Sequence, residues 1–412
     1  MKIIRSLILL GVLLVFNGST LIAQEGAPVR MDMPVGGFEF ANQTTSTAIP
    51  FKLADNLIVI QVELNRTTLN LILDTGMPFD GALLFGSDKV DAAQLTFTSK
   101  MPVGGVDGNP ILSDVSLGAT LKVPNLTLTN QMIVAIPRDA TRSRQFEGVD
   151  GIIGFSLFNH LIVSINYERQ YMIISQPGTV DLAKAGQAVP VDIRDNRIFL
   201  KADVKLESGA IVPGEFVVDT GNRNALMLNA GNNNALVLPA RNLPYFAASL
   251  TGKAQWKMGR IAGFNLGGFQ LENVLASFND GNSGTSPWEK EGNLGNQILG
   301  RFHLTFNLPG NQIYIAKNGL FGESFDFNLA GLQVERAEDL NLTICHVIPG
   351  SPAEKAGLLT GDKILAVNKK SAAQLSRSEF EEKIDKNGKK VSVVLERSGE
   401  KFSVNMKLER FI

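Results

Sequence analysis

Two copies of the tripeptide Asp-Thr-Gly carry the residue types most able to do chemistry in this chain. Residues 74–76 follow the apolar segment TLNLIL, and residues 219–221 follow GEFVV. If the two strand ends meet, the carboxylates of Asp74 and Asp219 lie within hydrogen-bond distance, cannot both be ionised and share one proton. The ionised carboxylate can then take a proton from a bound water while the protonated one donates to a carbonyl oxygen. The pair is therefore predicted to hydrolyse an amide without a covalent intermediate.

The other residues of each triplet have a predicted structural part. The hydroxyls of Thr75 and Thr220 are expected to bond across to the opposite backbone, and Gly76 and Gly221 to let the chain turn tightly beside the carboxylates. The alternative is that both triplets are ordinary turn sequences at strand ends, because Asp and Gly are common turn formers.

A repeat supplies the elements that would bring the triplets together. In each half the triplet is followed by a strand-rich segment around Gly118 or Gly267, and then by an apolar pair closed by Gly154 or Gly300. The three landmarks recur at offsets of 145, 149 and 146 residues. Short strand-like runs separated by Gly, Asn and Pro clusters are typical of β sandwiches and barrels. The sequence thus predicts a duplicated, mostly β lobe of about 146 residues.

These features resemble a two-lobed, single-chain aspartic protease whose lobes are each most similar to a retropepsin half-unit. The matching residues are LILDTG, FVVDTG and the hydrophobic-hydrophobic-Gly elements at 152–154 and 298–300, within about residues 45–320. The resemblance implies acid-protease β-barrel lobes of the double-psi type around a pseudo-twofold axis. By the family's pattern Asp74 and Asp219 are catalytic, and four neighbours fix their geometry: Thr75, Gly76, Thr220 and Gly221.

Two departures from the family bear on the chemistry. The residue after each Asp-Thr-Gly is Met77 or Asn222, where the family usually has Ser, Thr or Ala. Methionine cannot donate a hydrogen bond to a carboxylate, whereas the Asn222 amide can, which would make the two halves electrostatically unequal. The best place for a flap over the substrate is the Gly-rich segment VGGVDGN, with Gly104 and Gly105, although it lacks the tyrosine usual in pepsin-type flaps.

Composition argues against several other functions. The 412 residues carry 39 basic and 40 acidic side chains, so no basic surface for nucleic acid is expected. The single cysteine, Cys345, excludes an intramolecular disulfide and a thiolate metal cage. His160, His303 and His346 lack zinc-ligand spacing, and GFSLF around Ser156 lacks the second Gly of a nucleophile elbow. Neither a metal nor a cofactor is predicted.

The N-terminus predicts export. Basic residues Lys2 and Arg5 precede the apolar run SLILLGVLLVF, which is short for a membrane-spanning helix and typical of a secretory signal peptide. Residues 1–23 are expected to be removed after Ala23, leaving a periplasmic or extracellular protein without a membrane span.

Charge and repeat boundaries divide the rest of the chain. Charged residues become nearly twice as dense after about residue 330, which indicates a domain boundary near residue 325. The predicted units are a linker or short pro-segment at 24–45, lobe 1 at 46–180, lobe 2 at 181–325 and a C-terminal domain at 326–412.

The C-terminal domain resembles a small α+β PDZ domain of the bacterial, HtrA-like arrangement. The strongest match is VIPGSPAEKAGLLTGDKILAVN at 347–368. Ser351 is the predicted N-cap of a short helix, with Pro352 at its first position, Glu354 closing a capping box and Gly357 ending it in a left-handed conformation.

The resemblance also implies a peptide-binding groove. The strand QVE would pair with a peptide, and a helix from about Ser376 to Lys386 would form the other wall. A loop whose backbone N–H groups form a nest for the peptide's terminal carboxylate is expected just before the strand; it comprises Leu329, Ala330, Gly331 and Leu332. The alternative is a PDZ fold that serves only for docking and binds no free peptide.

These observations together predict an exported aspartic endopeptidase whose PDZ domain recruits protein or peptide C-termini. The alternative from another class is a catalytically silent peptide-binding protein that uses both modules to hold chains. The intact Asp pair favours the enzyme.

Overall fold

The structure is a computed structural model that describes residues 35–412 with several gaps. The gaps are residues 105–109, 139, 141–147, 249–252, 280–290, 327, 337–340, 376 and 385. Before residue 35 it describes only the backbone of three short strands, Leu9–Leu10, Leu21–Ala23 and Pro28–Val29. Only the backbone is described at residues 245–248, 253, 254, 335, 336, 377 and 378. The predicted signal peptide therefore lies largely outside the described residues.

Lobe 1 is built almost entirely of strands. They are Gly37–Phe40, Ser46–Pro50, Lys52–Ala54, Leu57–Leu64, Thr67–Leu73, Gly81–Phe85, Ser99–Val103, Ile111–Val123, Leu126–Ile136, Gly151–Ile153, Ile162–Asn166 and Tyr171–Ser175. Short helices lie at Ala41–Gln43, Asp88–Asp91 and Phe155–Leu157. The innermost strands read as continuous apolar runs, such as GALLF, because both of their faces are buried.

Lobe 2 repeats this order of elements. Its strands are Gln187–Arg194, Arg197–Lys205, Ile211–Val218, Leu226–Asn229, Asn242–Ala248, Lys253–Leu266, Phe269–Asn279, Gly292–Leu294, Phe302–Asn307 and Gln312–Lys317. Short helices lie at Leu182–Lys184, Asn296–Leu299 and Leu308–Gly310. In each lobe the strand before Asp-Thr-Gly pairs in parallel with a three-residue strand much later in the chain, Gly151–Ile153 or Gly292–Leu294. The expected mostly β, duplicated architecture is confirmed.

One detail of the predicted repeat is wrong. The counterpart of Gly154 is Gly295 and not Gly300, because each of these two glycines directly follows the three-residue strand and precedes a short helix. The apolar-pair element of lobe 2 is thus NLG at 293–295, and ILG at 298–300 lies within and just after the helix that follows. Similarly, Gly118 lies inside a strand, whereas Gly267 lies in the turn of the equivalent hairpin. The segments were matched correctly, but these glycines were not equivalent.

The lobes are joined by a sheet to which both contribute. Ile162–Asn166 of lobe 1 pairs antiparallel with Phe302–Asn307 of lobe 2. At the centre of this pairing the hydroxyls of Ser164 and Thr305 lie 2.9 Å apart and share a hydrogen bond. A single apolar cluster runs through both lobes, so the two halves are packed as one body.

The C-terminal unit has its own sheet and core. Its strands are Leu332–Arg336, Leu342–Val347, Lys363–Val367, Lys370–Ser371, Lys390–Arg397 and Glu400–Lys407, with helices Pro352–Lys355, Ala372–Gln374 and Arg377–Ile384. Ser351 caps the first helix by accepting from the Glu354 N–H, and Gly357 has the expected left-handed φ of 81°. The Glu354 carboxylate accepts from the Gly350 N–H, one residue before the N-cap.

The C-terminal unit is docked against lobe 2. Ile348 and Phe411 pack in the same apolar cluster as the strands of the lobes. Arg241 donates to the carbonyl oxygen of Phe411 at 2.8 Å, and Arg260 donates to those of Ile412 and Phe325 at 2.9 and 2.8 Å. In the part of the chain that the structure describes, no helix is long and apolar enough to cross a membrane.

Candidate active site

The two Asp-Thr-Gly loops are each anchored by the short parallel strand of their own lobe. The backbone N–H of Asp74 donates to the carbonyl of Ile153 at 2.8 Å, and that of Asp219 donates to Leu294 at 3.0 Å. Each aspartate therefore sits just beyond the end of a buried strand, where the parallel neighbour still fixes the backbone. This placement agrees with the sequence-based expectation for both loops.

The threonines cross between the lobes in a nearly symmetric arrangement. Thr75 Oγ1 donates to the Val218 carbonyl at 2.7 Å and accepts from the Thr220 N–H at 3.0 Å. Thr220 Oγ1 donates to the Leu73 carbonyl at 2.8 Å and accepts from the Thr75 N–H at 3.0 Å. Both threonine side chains are completely buried. Each loop is thus held by the opposite lobe, which is the cross-bonding predicted from the sequence.

The glycines allow the carboxylates to approach the opposite loop. A Cβ on Gly221 would lie only 2.3 Å from Asp74 Cγ, and a Cβ on Gly76 would lie 3.1 Å from Asp219 Cγ. The backbone N–H of each glycine donates to its own aspartate, at 2.7 Å for Gly76 and 2.8 Å for Gly221. A side chain at residue 221 would therefore displace the Asp74 carboxyl, and one at residue 76 would press against the Asp219 carboxyl.

The two carboxyl groups are buried and lie against each other, because a Cβ on Gly76 would be 3.0 Å from Asp74 Oδ1 and 3.1 Å from Asp219 Oδ1. Burial raises the pKa of Asp74 well above its usual value, and the charge of Asp219 and the hydrogen bond between the two raise it further. Burial also raises the pKa of Asp219, but several hydrogen bonds oppose that rise. One proton is therefore retained by the pair, and Asp74 holds it more strongly.

The residues after the glycines differ in the way their side chains are used. Met77 is fully buried in an apolar cluster of lobe 1, and its Cβ is the atom closest to the position that a Cβ on Gly154 would take. The Asn222 amide donates to Asn293 Oδ1 at 2.9 Å, and Asn293 in turn donates to Asp219 Oδ2 at 2.6 Å. Asn222 thus reaches Asp219 through Asn293, a residue that sequence reasoning missed.

A second buried amide supports the loop of lobe 2. Asn296 Nδ2 donates to the Thr220 carbonyl at 2.6 Å, and its Oδ1 accepts from the Tyr167 hydroxyl of lobe 1 at 2.8 Å. Burial raises the pKa of Tyr167, so its hydroxyl remains a donor. The loop is therefore tied to lobe 1 at a further point.

The remaining residues considered in the sequence analysis are the flap glycines, Ser156, Cys345 and possible metal ligands. Gly104 follows the strand Ser99–Val103, whereas Gly105 lies outside the described residues. The Ser156 hydroxyl accepts from the Gly81 N–H at 2.9 Å, and Cys345 is buried in a strand. Among the described residues, no cluster of His, Cys, Asp and Glu is arranged to hold a metal ion.

The predicted carboxylate loop of the C-terminal unit is folded around Asn328. Gly331, with φ 71°, and Leu332 donate their N–H groups to Asn328 Oδ1 at 3.0 and 3.2 Å. Leu329 and Ala330 are buried, and the Ala330 carbonyl accepts from the Ala353 N–H at 2.9 Å. The N–H groups of Gly331 and Leu332 are therefore already bonded within the chain.

Comparisons with known proteins found matches to a family model and to solved structures. Residues 343–397 match the family model of the PDZ domain. A crystal structure of an aspartic proteinase from Irpex lacteus is 16% identical, with an alignment that covers 68% of this chain and 100% of that chain at a TM-score of 0.44. Among curated proteins, no sequence matches this chain.

The C-terminal unit and the duplicated lobes share a cavity of about 90 Å³. Leu332, Val334 and Phe380 line it from the PDZ strand and helix. Arg223 and Asn224, which closely follow the second Asp-Thr-Gly, line it from lobe 2. The strand and helix of the C-terminal unit therefore lie beside the chain segment that follows Asp219.

Proposed function

We propose that this protein is an exported aspartic endopeptidase whose PDZ domain recruits protein or peptide C-termini. The observation that carries the proposal is the buried pair of adjacent carboxyls, Asp74 and Asp219, held by threonines that cross between the lobes. Because an ordinary turn requires neither a second carboxylate nor a cross-lobe bond, this geometry favours catalysis over the turn interpretation.

The pair can supply both proton transfers of peptide hydrolysis. Asp219, the ionised member, accepts a proton from a water molecule as its oxygen bonds to the scissile carbonyl carbon, while protonated Asp74 donates to the carbonyl oxygen. In the second step Asp219 gives its proton to the leaving nitrogen as the C–N bond breaks, and Asp74 recovers its proton from the diol. Each carboxyl returns to its starting state, and no covalent intermediate forms.

Conservative substitution of the pair tests the catalytic part of the proposal. Asp74→Asn and Asp219→Asn should each abolish cleavage of a mixed peptide library, and the double variant should be no worse than either single one, because the residues act as a unit. Thermal melts should show that both single variants fold. Near-normal turnover by either variant would contradict the assignment. Peptide binding without cleavage by the unaltered protein at every pH would favour the silent peptide-binding alternative.

The PDZ part is tested on the intact chain by changing the substrate. Protein substrates with free C-termini should be cleaved faster than the same substrates with amidated C-termini, whereas short internal peptides should be cleaved equally in both forms. Equal rates for all substrates would support a domain used only for docking.

Export is tested by sequencing the N-terminus of the protein recovered outside the cytoplasm. A start at Gln24 is expected if the signal peptide is removed after Ala23. Recovery of the full chain only from the cytoplasm would contradict it.

A further inference from the structure

The two halves of the dyad differ at a buried position of the short parallel strands. Ile152 and Asn293 are equivalent, because each is the middle residue of the short strand that runs parallel to the Asp-bearing strand. Their side chains are 0% and 1% exposed. Ile152 has no polar atom, whereas the Asn293 carboxamide contacts Asp219. This position thus makes the surroundings of the two carboxyls unequal.

The hydrogen bonds around Asn293 fix which end of its carboxamide faces the dyad. Asn222 Oδ1 accepts from the Asn224 N–H at 3.0 Å, so Asn222 Nδ2 must point toward Asn293. Asn293 Oδ1 accepts that Nδ2 at 2.9 Å, which leaves Asn293 Nδ2 to donate to Asp219 Oδ2 at 2.6 Å. The chain starts at a backbone N–H, which can only donate, so each amide has one consistent orientation.

Asp219 accepts one more hydrogen bond than Asp74 when the glycine N–H groups and the side-chain donors are counted. Asp219 accepts from Gly221 at one oxygen and from Asn293 at the other. Asp74 accepts from Gly76 at Oδ1, and its buried Oδ2 accepts no bond from a protein donor among the described residues. A donor stabilises the charged form of a carboxyl, and an oxygen that accepts nothing suits a protonated one.

We propose that Asn293 is a positioning residue that holds Asp219 as the ionised member of the pair and thereby leaves the shared proton on Asp74. The proposal rests on the proposed function only in that it assigns roles within the same dyad. Burial raises the pKa of Asp219, and the hydrogen bond from Asn293 is the largest of the effects that lower it. Asp74 has no equivalent side-chain donor.

Removing the donor should raise the lower apparent pKa of the pair and leave the upper one nearly unchanged. The first ionisation creates the charge on Asp219 that Asn293 stabilises, whereas both states in the second ionisation already carry that charge. A hydrogen bond to a charged group contributes about 1.5–3 kcal/mol, which corresponds to an upward shift of about one to two pH units. The acidic limb of the pH profile should move by that amount, and the alkaline limb should not.

The experiment compares Asn293→Leu, Asn293→Ala and a matched control, Ile261→Val. The two Asn293 variants both lack the donor but differ in volume, and Ile261 is a buried core residue of the same lobe. The readouts are the pH profile of peptide cleavage and the titration of the aspartate carboxyl ¹³C chemical shifts. Because the chemical shifts need no catalysis, failure to cleave peptides would contradict the proposed function without affecting this test.

The expected result is an upward shift of the lower apparent pKa in whichever Asn293 variants fold, with no shift in the control. A lower apparent pKa within about 0.3 pH units of the unaltered protein in a folded Asn293 variant would overturn the proposal. An equal shift of both apparent pKa values, or the same shift in Ile261→Val, would also overturn it, because either result indicates a general change of the site.

Discussion

Replacing Thr220 with valine keeps the shape of a buried side chain while removing both of its hydrogen bonds between the lobes. The Leu73 carbonyl loses a donor at 2.8 Å, and the Thr75 N–H loses an acceptor at 3.0 Å. Leaving a buried polar group without its partner costs about 1–3 kcal/mol, so the two losses should lower the free energy of unfolding by about 2–6 kcal/mol. Urea denaturation followed by the fluorescence of tryptophan, including the buried Trp256, measures this change.

Two further variants test the symmetry behind that estimate. Thr75→Val removes the mirror-image bonds, at 2.7 and 3.0 Å, and should cost the same within about 1 kcal/mol. Thr220→Ser keeps the hydroxyl and should cost only about 1 kcal/mol for the lost methyl group. Turnover should fall by about 10²-fold in the valine variants, because the carboxylates lose their alignment. A cost below 0.5 kcal/mol for Thr220→Val, or an equal cost for Thr220→Ser, would refute the reasoning.

Three other outcomes are expected. Gly221→Ala should abolish cleavage, because its Cβ would lie 2.3 Å from Asp74 Cγ, whereas Gly322→Ala, with no atom within 4 Å, should leave cleavage unchanged; measured rates decide both. The pH profile of cleavage should peak at about pH 5–7, because burial raises the pKa of both carboxyls, and a maximum below about pH 3 would contradict this. The folded pKa of Asp74 exceeds the unfolded value of 3.8, so the contribution of Asp74 to the free energy of unfolding should fall by about 1.4 kcal/mol for each pH unit above 3.8 until the folded pKa is reached. The free energy of unfolding, obtained from melting curves at several pH values, should decrease less steeply with pH for Asp74→Asn than for the unaltered protein. Equal slopes would argue against a proton held on Asp74.

Much of the architecture could be predicted because it depends on short local patterns. The local sequence of an apolar strand that ends in Asp-Thr-Gly is enough to predict that the strand is buried and that a turn follows it. Two such strands predict a duplicated lobe. The helix cap at Ser351 and the left-handed Gly357 are likewise local signals that the structure bears out. Registers and strand ends in such patterns follow from side-chain alternation and turn chemistry.

The remaining features depend on pairings between distant residues. Spacing alone favoured Gly300 as the mate of Gly154, whereas strand pairing identifies Gly295. That error hid Asn293. In the correct alignment Asn293 is equivalent to Ile152 and is the polar residue of the two. Likewise, the carboxylate loop appeared open in sequence, but the side chain of Asn328 folds back onto its N–H groups.

The joining of both lobes in one chain has a consequence for how the site can change. In an assembly of two identical chains, any mutation beside one carboxylate would be copied beside the other. Here the two neighbourhoods have separate codons, so residue 293 can be an asparagine while its counterpart, residue 152, is an isoleucine. Selection can therefore adjust the surroundings of the two carboxyl groups independently. The threonines must be retained in both lobes, because each hydroxyl bonds to the backbone of the opposite loop.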